Sequence, residues 1–278
     1  MGHVHVDRSH LAQGCELVTD RIAIGLGRAL FLVAIAALGV ECLVRGNVVP
    51  ALEPVSLSAS THPLVGWITG VALIAATIAS IPRASARYGA LALAVILLLW
   101  VALLHVPALI ASPGSGGEWT GAFETFALAG AALALSGLAP GTLARQITTV
   151  GRILYAVSLP VFGVLHFLYI GYVASVIPGW IPAHLAFGYA TGTAHIAAGI
   201  GIATGVLGRI AALCAAAMFG SWVLILHAPR VLAHIRDANE WTSLLIALAM
   251  CGGALAIAGT MARAPAPRHA SEDLSLAR

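Results

Sequence analysis

Two histidines lie deep inside apolar stretches of the chain, where an ionisable side chain is costly. His166 and His195 each fall near the middle of a predicted membrane-spanning helix, and ionisable residues at that depth generally mark ligand sites or proton pathways. Small residues mark helix–helix contacts in membranes. The glycines that share the helical face of His195 are Gly188, Gly192 and Gly199. We therefore expect both imidazoles to point into a helical bundle.

Three chemical roles are open for this histidine pair. Each imidazole could make a hydrogen bond that only fixes helix packing, or the pair could line a site for a quinone head group. Bis-histidine ligation of a haem is a third role, and it is disfavoured because nothing beyond the two histidines supports it. The four cysteines show no metal-ligand spacing and no CxxC motif, so we predict neither a metal site nor a structural disulfide.

A second set of polar residues occurs twice along the chain. The motif Trp-x4-His-x-Pro contains His105 in one copy and His227 in the other, and the motif Glu-Trp-Thr begins at Glu118 and again at Glu240, each pair 122 residues apart. A histidine near a helix end and an acid near a helix start complement the helix dipole, and the following proline stops a helix. Alternatively, each His and Glu meet at the outer mouth of a bundle, where they could relay a proton or gate a site.

Glu124 and Trp180 are further candidates. Glu124 lies about one turn into the predicted fourth helix, where it could complement the helix dipole or line the outer cavity of the first bundle. Trp180 lies in a rigid Pro-Gly-Trp-Ile-Pro turn that could, with His184, cover the second bundle and contact a ligand. More often such a turn only closes a helical hairpin.

The composition defines the solvent of the chain. Hydrophobic residues make up 60% of the sequence and charged residues only 9%, whereas an average soluble domain has about 25% charged residues. Lipid must therefore surround much of this chain, and we predict an all-α integral membrane protein whose main partner is the bilayer. The net charge of +3 is dispersed and forms no basic patch that would indicate nucleic acid binding.

Polar and proline-rich breaks divide the apolar sequence into eight predicted membrane-spanning helices, each near the ~20 residues that a bilayer requires. They cover residues 22–44, 64–82, 88–111, 121–139, 150–177, 185–207, 209–228 and 241–262. The corresponding domains are an N-terminal tail (1–21), a first four-helix unit (22–139), a linker (140–149), a second four-helix unit (150–262) and a C-terminal tail (263–278). We expect both tails to be disordered.

The two four-helix units are predicted to be tandem copies. Besides the two motifs offset by 122, the sequence Gly-Arg-Ala-Leu at 27–30 reappears as Gly-Arg-Ile-Leu at 151–154, offset by 124. A unit with an even number of spans returns to the same side of the membrane, so the copies share one orientation. This predicts two four-helix bundles related by a pseudo-two-fold axis along the membrane normal.

The arginines indicate the orientation of the helices. With the N-terminus in the cytoplasm, the inside segments hold eleven arginines and the outside loops only three. Cytoplasmic segments carry the excess of positive charge. We therefore predict a protein of the inner (plasma) membrane with both termini in the cytoplasm.

Several motifs resemble those of the DoxX/DoxD-like family of small four-helix membrane proteins. They are the segments 162–167, 177–182, 191–195 and 227–229, and the similarity is best from about residue 150 to 262. Family members usually contain one four-helix unit, whereas this chain has two. Some relatives are subunits of thiosulfate:quinone oxidoreductases and others associate with redox partners, so the resemblance implies a quinone-linked role with a redox partner protein.

Two functional hypotheses follow. In the first, the protein is a membrane component of a redox system that handles quinone or another small lipophilic ligand. His166 and His195 line the site, while His227 and Glu240 gate or protonate it from outside; catalytic activity stays open. In the alternative, the protein is a non-catalytic transporter or scaffold that uses the interface between the repeats. The position of the histidine pair within the second bundle counts against transport.

Overall fold

Every regular element of the protein is helical in the part described by the computed structural model, which comprises residues 8–49, 52–54, 63–138 and 141–261. The α-helices in chain order are α1 (Arg8–Arg45), α2 (Pro63–Ala79), α3 (Ala86–Trp100), α4 (Val106–Ala111), α5 (Gly116–Ser136), α6 (Thr142–Leu168), α7 (Ile170–Val176), α8 (His184–Thr204), α9 (Gly208–Trp222), α10 (Ala228–Ala233) and α11 (Ala238–Thr260). Two π-helical segments, π1 (Val101–His105) and π2 (Val223–His227), join α3 to α4 and α9 to α10.

Six of these helical stretches are long and apolar enough to cross a membrane, judged by length and composition over the described residues. They are Val18–Arg45, Ala86–Ala111, Thr142–Leu168, His184–Thr204, Gly208–Ala233 and Ala238–Thr260. Helix α2 is apolar but shorter, with 17 residues, and α5, which contains Glu118 and Glu124, is not among the six. The predicted class is confirmed: the chain is an all-α, multi-pass membrane protein.

Several helix ends differ from the prediction. Helix α1 begins at Arg8 rather than at residue 22, so the later part of the predicted N-terminal tail is helical. Helix α6 begins at Thr142 and therefore includes most of the predicted linker. Polar residues are compatible with a helix that extends beyond the apolar core of the membrane, which is why hydropathy did not reveal these starts. Residues 1–7 and 262–278, parts of the two predicted tails, lie outside the described residues.

The two repeated prolines do not end their helices: the predicted helix 88–111 already includes Pro107, whereas the predicted helix 209–228 wrongly stops before Pro229. Each lies in the first turn of a further helix, α4 or α10, which follows directly after a π-helical segment. A proline inside an α-helix lacks its N–H and crowds the carbonyl four residues earlier, but it is tolerated in the first turn, where the N–H is not needed. The wider π turn lets the chain restart an α-helix at the proline and continue in the same direction.

The helices pack as two groups that share α5 and α11. The first helix group contains α1, α2, α3, α5 and α11, and the second contains α5, α6, α8, α9 and α11. Within each group every helix packs against the next in this order. Helix α11 closes both groups, because it packs against α1 in the first and against α5 in the second. The most extensive contacts join α1 to α11 and α5 to α6. This arrangement differs from two self-contained four-helix bundles, because each group takes one of its walls from the other half of the chain.

Two close glycine contacts hold these helix pairs together. A Cβ atom added at Gly27 of α1 would lie 2.5 Å from the carbonyl oxygen of Gly252 in α11, and one added at Gly151 of α6 would lie 2.5 Å from that of Gly130 in α5. We call these two contacts the glycine crossings. Because glycine has no side chain, the backbones of two membrane helices can touch and gain van der Waals contacts over a long interface.

The first testable prediction concerns the α1/α11 crossing. Replacement Gly27→Leu would force the backbones apart, since the Cβ position also lies 2.4 Å from the backbone nitrogen of Ala256. We expect a loss of about 1–3 kcal/mol in stability, measured as a lower midpoint of thermal unfolding in detergent. The matched control is Gly25→Leu, two residues earlier on the same helix, where nothing lies within 4 Å of the added Cβ. Equal midpoints for the two variants would contradict the prediction.

Candidate functional site

A cavity of about 720 Å³ lies inside the second helix group, between α5, α6, α8, α11 and the π2 segment. Its wall is mostly apolar, and the polar side chains that reach it include those of Glu124, His166, Thr191, His227 and Ser243. A recess of about 170 Å³ shares several of these residues and adds His195, Phe219 and Met250. Volumes of roughly 300–1,000 Å³ with apolar walls and a few convergent polar groups are typical of small-molecule sites.

The two predicted histidines lie side by side at the recess. The ring centroids of His166 and His195 are 4.9 Å apart, and His195 is only 1% exposed. The expectation that both imidazoles point into a bundle is therefore confirmed. Three aromatic side chains surround the pair: Phe162 lies 5.9 Å and Phe219 5.6 Å from His195, and Trp222 stacks on His166 at 6.2 Å.

Local helix structure sets the orientation of both imidazoles. The Nδ1–H of His166 donates to the carbonyl oxygen of Phe162 (2.7 Å), and the Nδ1–H of His195 donates to that of Thr191 (2.9 Å), each four residues earlier. A carbonyl oxygen only accepts hydrogen bonds, so Nδ1 must carry the proton, and in a neutral imidazole Nε2 is then an acceptor. Neither Nε2 has a hydrogen-bond partner within the described residues.

The depth of the two histidines along their helices differs from the prediction in one case. His195 lies in the middle of α8, as expected. His166 is in the last turn of α6, because the predicted single helix 150–177 is interrupted at Tyr169, where φ is −114° and ψ is 34°. The Tyr169 hydroxyl donates to the carbonyl oxygen of Gly114 (2.8 Å). This contact ties the interruption to the segment that leads into α5.

Glu124 lines the cavity and the recess of the second helix group, whereas one of the two roles open from the sequence placed it at a cavity of the first bundle. The reason is the glycine crossing between α5 and α6, which places α5 against the helix that bears His166. Among the described residues no donor bonds the Glu124 carboxylate. The structure thus brings Glu124, His166, His195 and His227 to one recess, although they come from both predicted units.

His227 and Glu240 have different surroundings. The imidazole of His227 lines the cavity and the recess, and its Nδ1 is buried without a hydrogen-bond partner in the described part of the chain. The carboxylate of Glu240 accepts two hydrogen bonds from the Arg230 guanidinium, at 2.8 and 2.7 Å. This bidentate ion pair joins α10 to α11 beside the cavity, so Glu240 is engaged by Arg230 rather than by the histidine.

His105 and Glu118, the corresponding residues of the first motif copy, have different neighbours from His227 and Glu240. His105 is fully buried, and its Nε2 lies 3.3 Å from the Thr125 hydroxyl in α5. It is not among the residues that line the cavity or the recess. Glu118 lies at the start of α5, where the Ser115 hydroxyl accepts a hydrogen bond from its backbone N–H, and its side chain belongs to the cavity wall.

Trp180 does not belong to the cavity wall. Its side chain is 71% exposed, whereas the flanking Pro178 and Ile181 of the same turn do line the cavity. The turn therefore closes one side of the cavity with Pro178 and Ile181 and directs the Trp180 indole outward. The sequence pattern alone could not distinguish which member of the turn faces inward.

Some cavity residues were not singled out from the sequence. The sequence marks Trp222 only as part of the repeated motif and Thr191 only as part of the segment 191–195, and nothing in it marks Ser243. The available signal was helical spacing, since Thr191 precedes His195 by one turn and Ser243 follows Glu240. No group of three or more side chains that could hold a metal ion occurs among the described residues.

Comparison with known proteins yields one family. Residues 155–250 match a family described as a domain of unknown function (DUF8561). The matched segment contains His166, His195 and Trp222, and it ends within α11. No curated protein and no solved structure matches the chain.

The second testable prediction concerns the Arg230–Glu240 pair. Glu240 is only 8% exposed, so Arg230→Ala would leave a buried carboxylate without its donor. We expect a loss of about 1–2 kcal/mol in stability, reduced by the partial exposure of the arginine, measured by thermal unfolding. The exposed Arg236 provides the control variant Arg236→Ala.

A double variant tests whether the unpaired charge is the cause. In Arg230→Ala/Glu240→Gln no buried charge remains without a partner, so much of the lost stability should return. A double variant no more stable than Arg230→Ala would show that the unpaired carboxylate is not the cause of the loss.

Proposed function

We propose that the cavity of the second helix group binds a small lipophilic ligand with a polar head, such as a quinone, and that the protein is the membrane component of a redox system. The observation that carries this proposal is the convergence of His166, His195 and Glu124 on a recess that shares part of its wall with a mostly apolar cavity. The apolar part would hold the hydrocarbon portion of the ligand, while the recess would hold its head.

The proposed architecture is a tandem duplication of a four-helix unit with eight membrane-spanning helices. Its support comes from matching elements: α3 and α9 each have 15 residues, and π1 with α4 corresponds to π2 with α10. The indoles of Trp119 and Trp241 each donate to a backbone carbonyl six residues earlier, of Pro113 and Ile235. The two glycine crossings also occupy equivalent positions in the two halves of the chain.

The proposed setting is the plasma membrane, with both termini in the cytoplasm. The distribution of arginines between the two ends of the helices supports it. The cavity would then open toward the outer side, where His227 and Glu240 lie beside it. The resemblance to DoxX/DoxD-like proteins is consistent with this arrangement and with a redox partner protein.

The third testable prediction is saturable binding of a quinone at Trp222. Quinones quench indole fluorescence on contact, so decylubiquinone added to the purified protein should give a saturable quench that is lost in Trp222→Phe. The matched control is Trp67→Phe, since Trp67 is 52% exposed on α2. In Ser243→Phe, whose ring would occupy part of the cavity next to the recess, we expect the Kd to rise roughly tenfold.

Two further results would decide the proposal. Mass spectrometry of lipids extracted with the purified protein should identify a bound lipophilic molecule. A quench without a saturable component, together with unchanged behaviour of Trp222→Phe, would contradict ligand binding in this cavity.

A second candidate function is transport, and one observation favours it. The cavity is lined by α5, from the first half of the chain, as well as by helices of the second half, and transporters place their sites between repeats. The polar groups of the cavity therefore do not belong to one bundle alone, which was the reason given against transport.

The fourth testable prediction separates the two functions. In a variant whose natural cysteines are replaced by alanine, Ser243→Cys should react with a membrane-impermeant thiol reagent from one side of the membrane only if the cavity is a binding site. Reaction from both sides, measured in right-side-out and inverted vesicles, would favour transport. The control is Arg236→Cys as the single cysteine, in the exposed turn between α10 and α11; it should react from one side only, and its reaction from both sides would indicate leaking vesicles.

A further inference from the structure

The recess has an unusual balance of hydrogen-bonding groups. His166 and His195 offer their Nε2 atoms as acceptors, since both Nδ1–H groups are bonded to backbone carbonyls within their own helices. Glu124 adds a carboxylate, which accepts hydrogen bonds when ionised. Against these, the recess wall offers three donors: the indole N–H of Trp222, the hydroxyl of Ser243 and the single N–H of the neutral His227 imidazole.

The two imidazoles cannot easily become donors at Nε2. A second proton on each ring would place two positive charges in rings whose centroids are 4.9 Å apart, at a site where His195 is 1% exposed. Burying an unpaired charge is costly, and two like charges repel more strongly where the dielectric constant is low. At least one Nε2 therefore keeps its lone pair available to a ligand.

We propose that the recess selects a ligand whose head donates hydrogen bonds, namely a lipophilic hydroxyl compound such as a quinol or an alkylphenol, over heads that only accept. This inference rests on the proposed function, because it specifies the ligand of the same cavity. It assigns His166, His195 and Glu124 as the acceptors of the hydroxyl protons.

The selectivity follows from the cost of unmatched polar groups. A hydroxyl head donates to a histidine Nε2 or to the Glu124 carboxylate, and its oxygen still accepts from Trp222 or Ser243. A quinone or an ether can use only the donors of the recess, so the Nε2 atoms of His166 and His195 and the Glu124 carboxylate lose contact with water and gain no partner. Sites built to bind a hydroxyl reject analogues without it for this reason.

The aromatic wall determines the shape of the preferred head. Phe162, Phe219 and Trp222 lie around the two imidazoles at ring distances between 5.3 and 6.2 Å. A flat aromatic head fits between such rings through offset or edge-to-face contacts. The phenolic ring therefore satisfies both the hydrogen-bonding groups and the aromatic neighbours of the recess.

The fifth testable prediction compares two probes that differ only in the donor. Purified full-length protein is titrated with 4-nonylphenol and with its methyl ether, 4-nonylanisole, and binding is measured from the ligand-dependent rise of the thermal unfolding midpoint. We expect the phenol to bind about tenfold more tightly than the ether. Decylubiquinol should likewise bind more tightly than decylubiquinone, measured under reducing and oxidising conditions.

Variants identify the groups responsible. In His166→Phe/His195→Phe the phenol should lose most of its higher affinity relative to the ether, because the variant removes the acceptors. The ether should bind as before, because the variant keeps aromatic rings. His234→Phe, at an exposed position, is the control and should keep the advantage. Glu124→Gln introduces an amide donor and should therefore reduce the difference in affinity between decylubiquinol and decylubiquinone.

The outcomes are distinguishable from failure of the proposed function. If neither member of either pair binds, the proposed ligand cavity itself is wrong. If the ether and the quinone bind as tightly as the phenol and the quinol, the cavity binds ligands but the donor selectivity is wrong. Tighter binding of dodecylammonium than of 4-nonylphenol would overturn the hydroxyl assignment in favour of a cation held by Glu124.

Discussion

Direct backbone contact at the two glycine crossings is the constraint on which the remaining structure depends. Gly27 against Gly252 places α1 on α11, and Gly130 against Gly151 places α5 on α6. Each crossing joins the first helix of one half of the chain to the last helix of the other half, so α5 and α11 become walls of both helix groups. The position of Glu124 beside the histidines follows from this exchange, since it lies on the helix that the second crossing brings to α6.

Two arginines near helix ends are paired with acids, in contrast to Glu124 in the recess. Arg209 donates to Asp20 and to the carbonyl oxygen of Ala258, and Arg230 holds Glu240. Buried ionic groups are expensive unless paired, and these pairs also connect different helices. Glu124 has no such partner among the described residues. This difference distinguishes groups that hold helices together from groups that remain available to a ligand.

The sequence allowed prediction of the membrane class, of most helices and of the inward orientation of His195, because apolar length and glycine spacing are local properties. The partners of a helix are not local. The sequence offered only the helix dipole and the first bundle's cavity as roles for Glu124, because its neighbours were inferred from its own half of the chain. The repeated prolines were interpreted as helix stops, since the π-helical segments before them have no signature in composition. Trp180 was expected at the ligand site because an aromatic residue in a rigid turn has no pattern that tells which side it faces.

The position of α11 also determines the order in which the molecule can assemble. Helices α5 and α6 are consecutive and can meet as a hairpin as soon as both are made, whereas α1 must remain without its main partner until α11 has been synthesised. Contacts between distant parts of a chain form late because their loop must first close. Since α11 supplies a wall to both helix groups, neither group is complete before the last described helix is in place. The cavity, part of whose wall belongs to α11, is therefore complete only after α11 has packed against both groups.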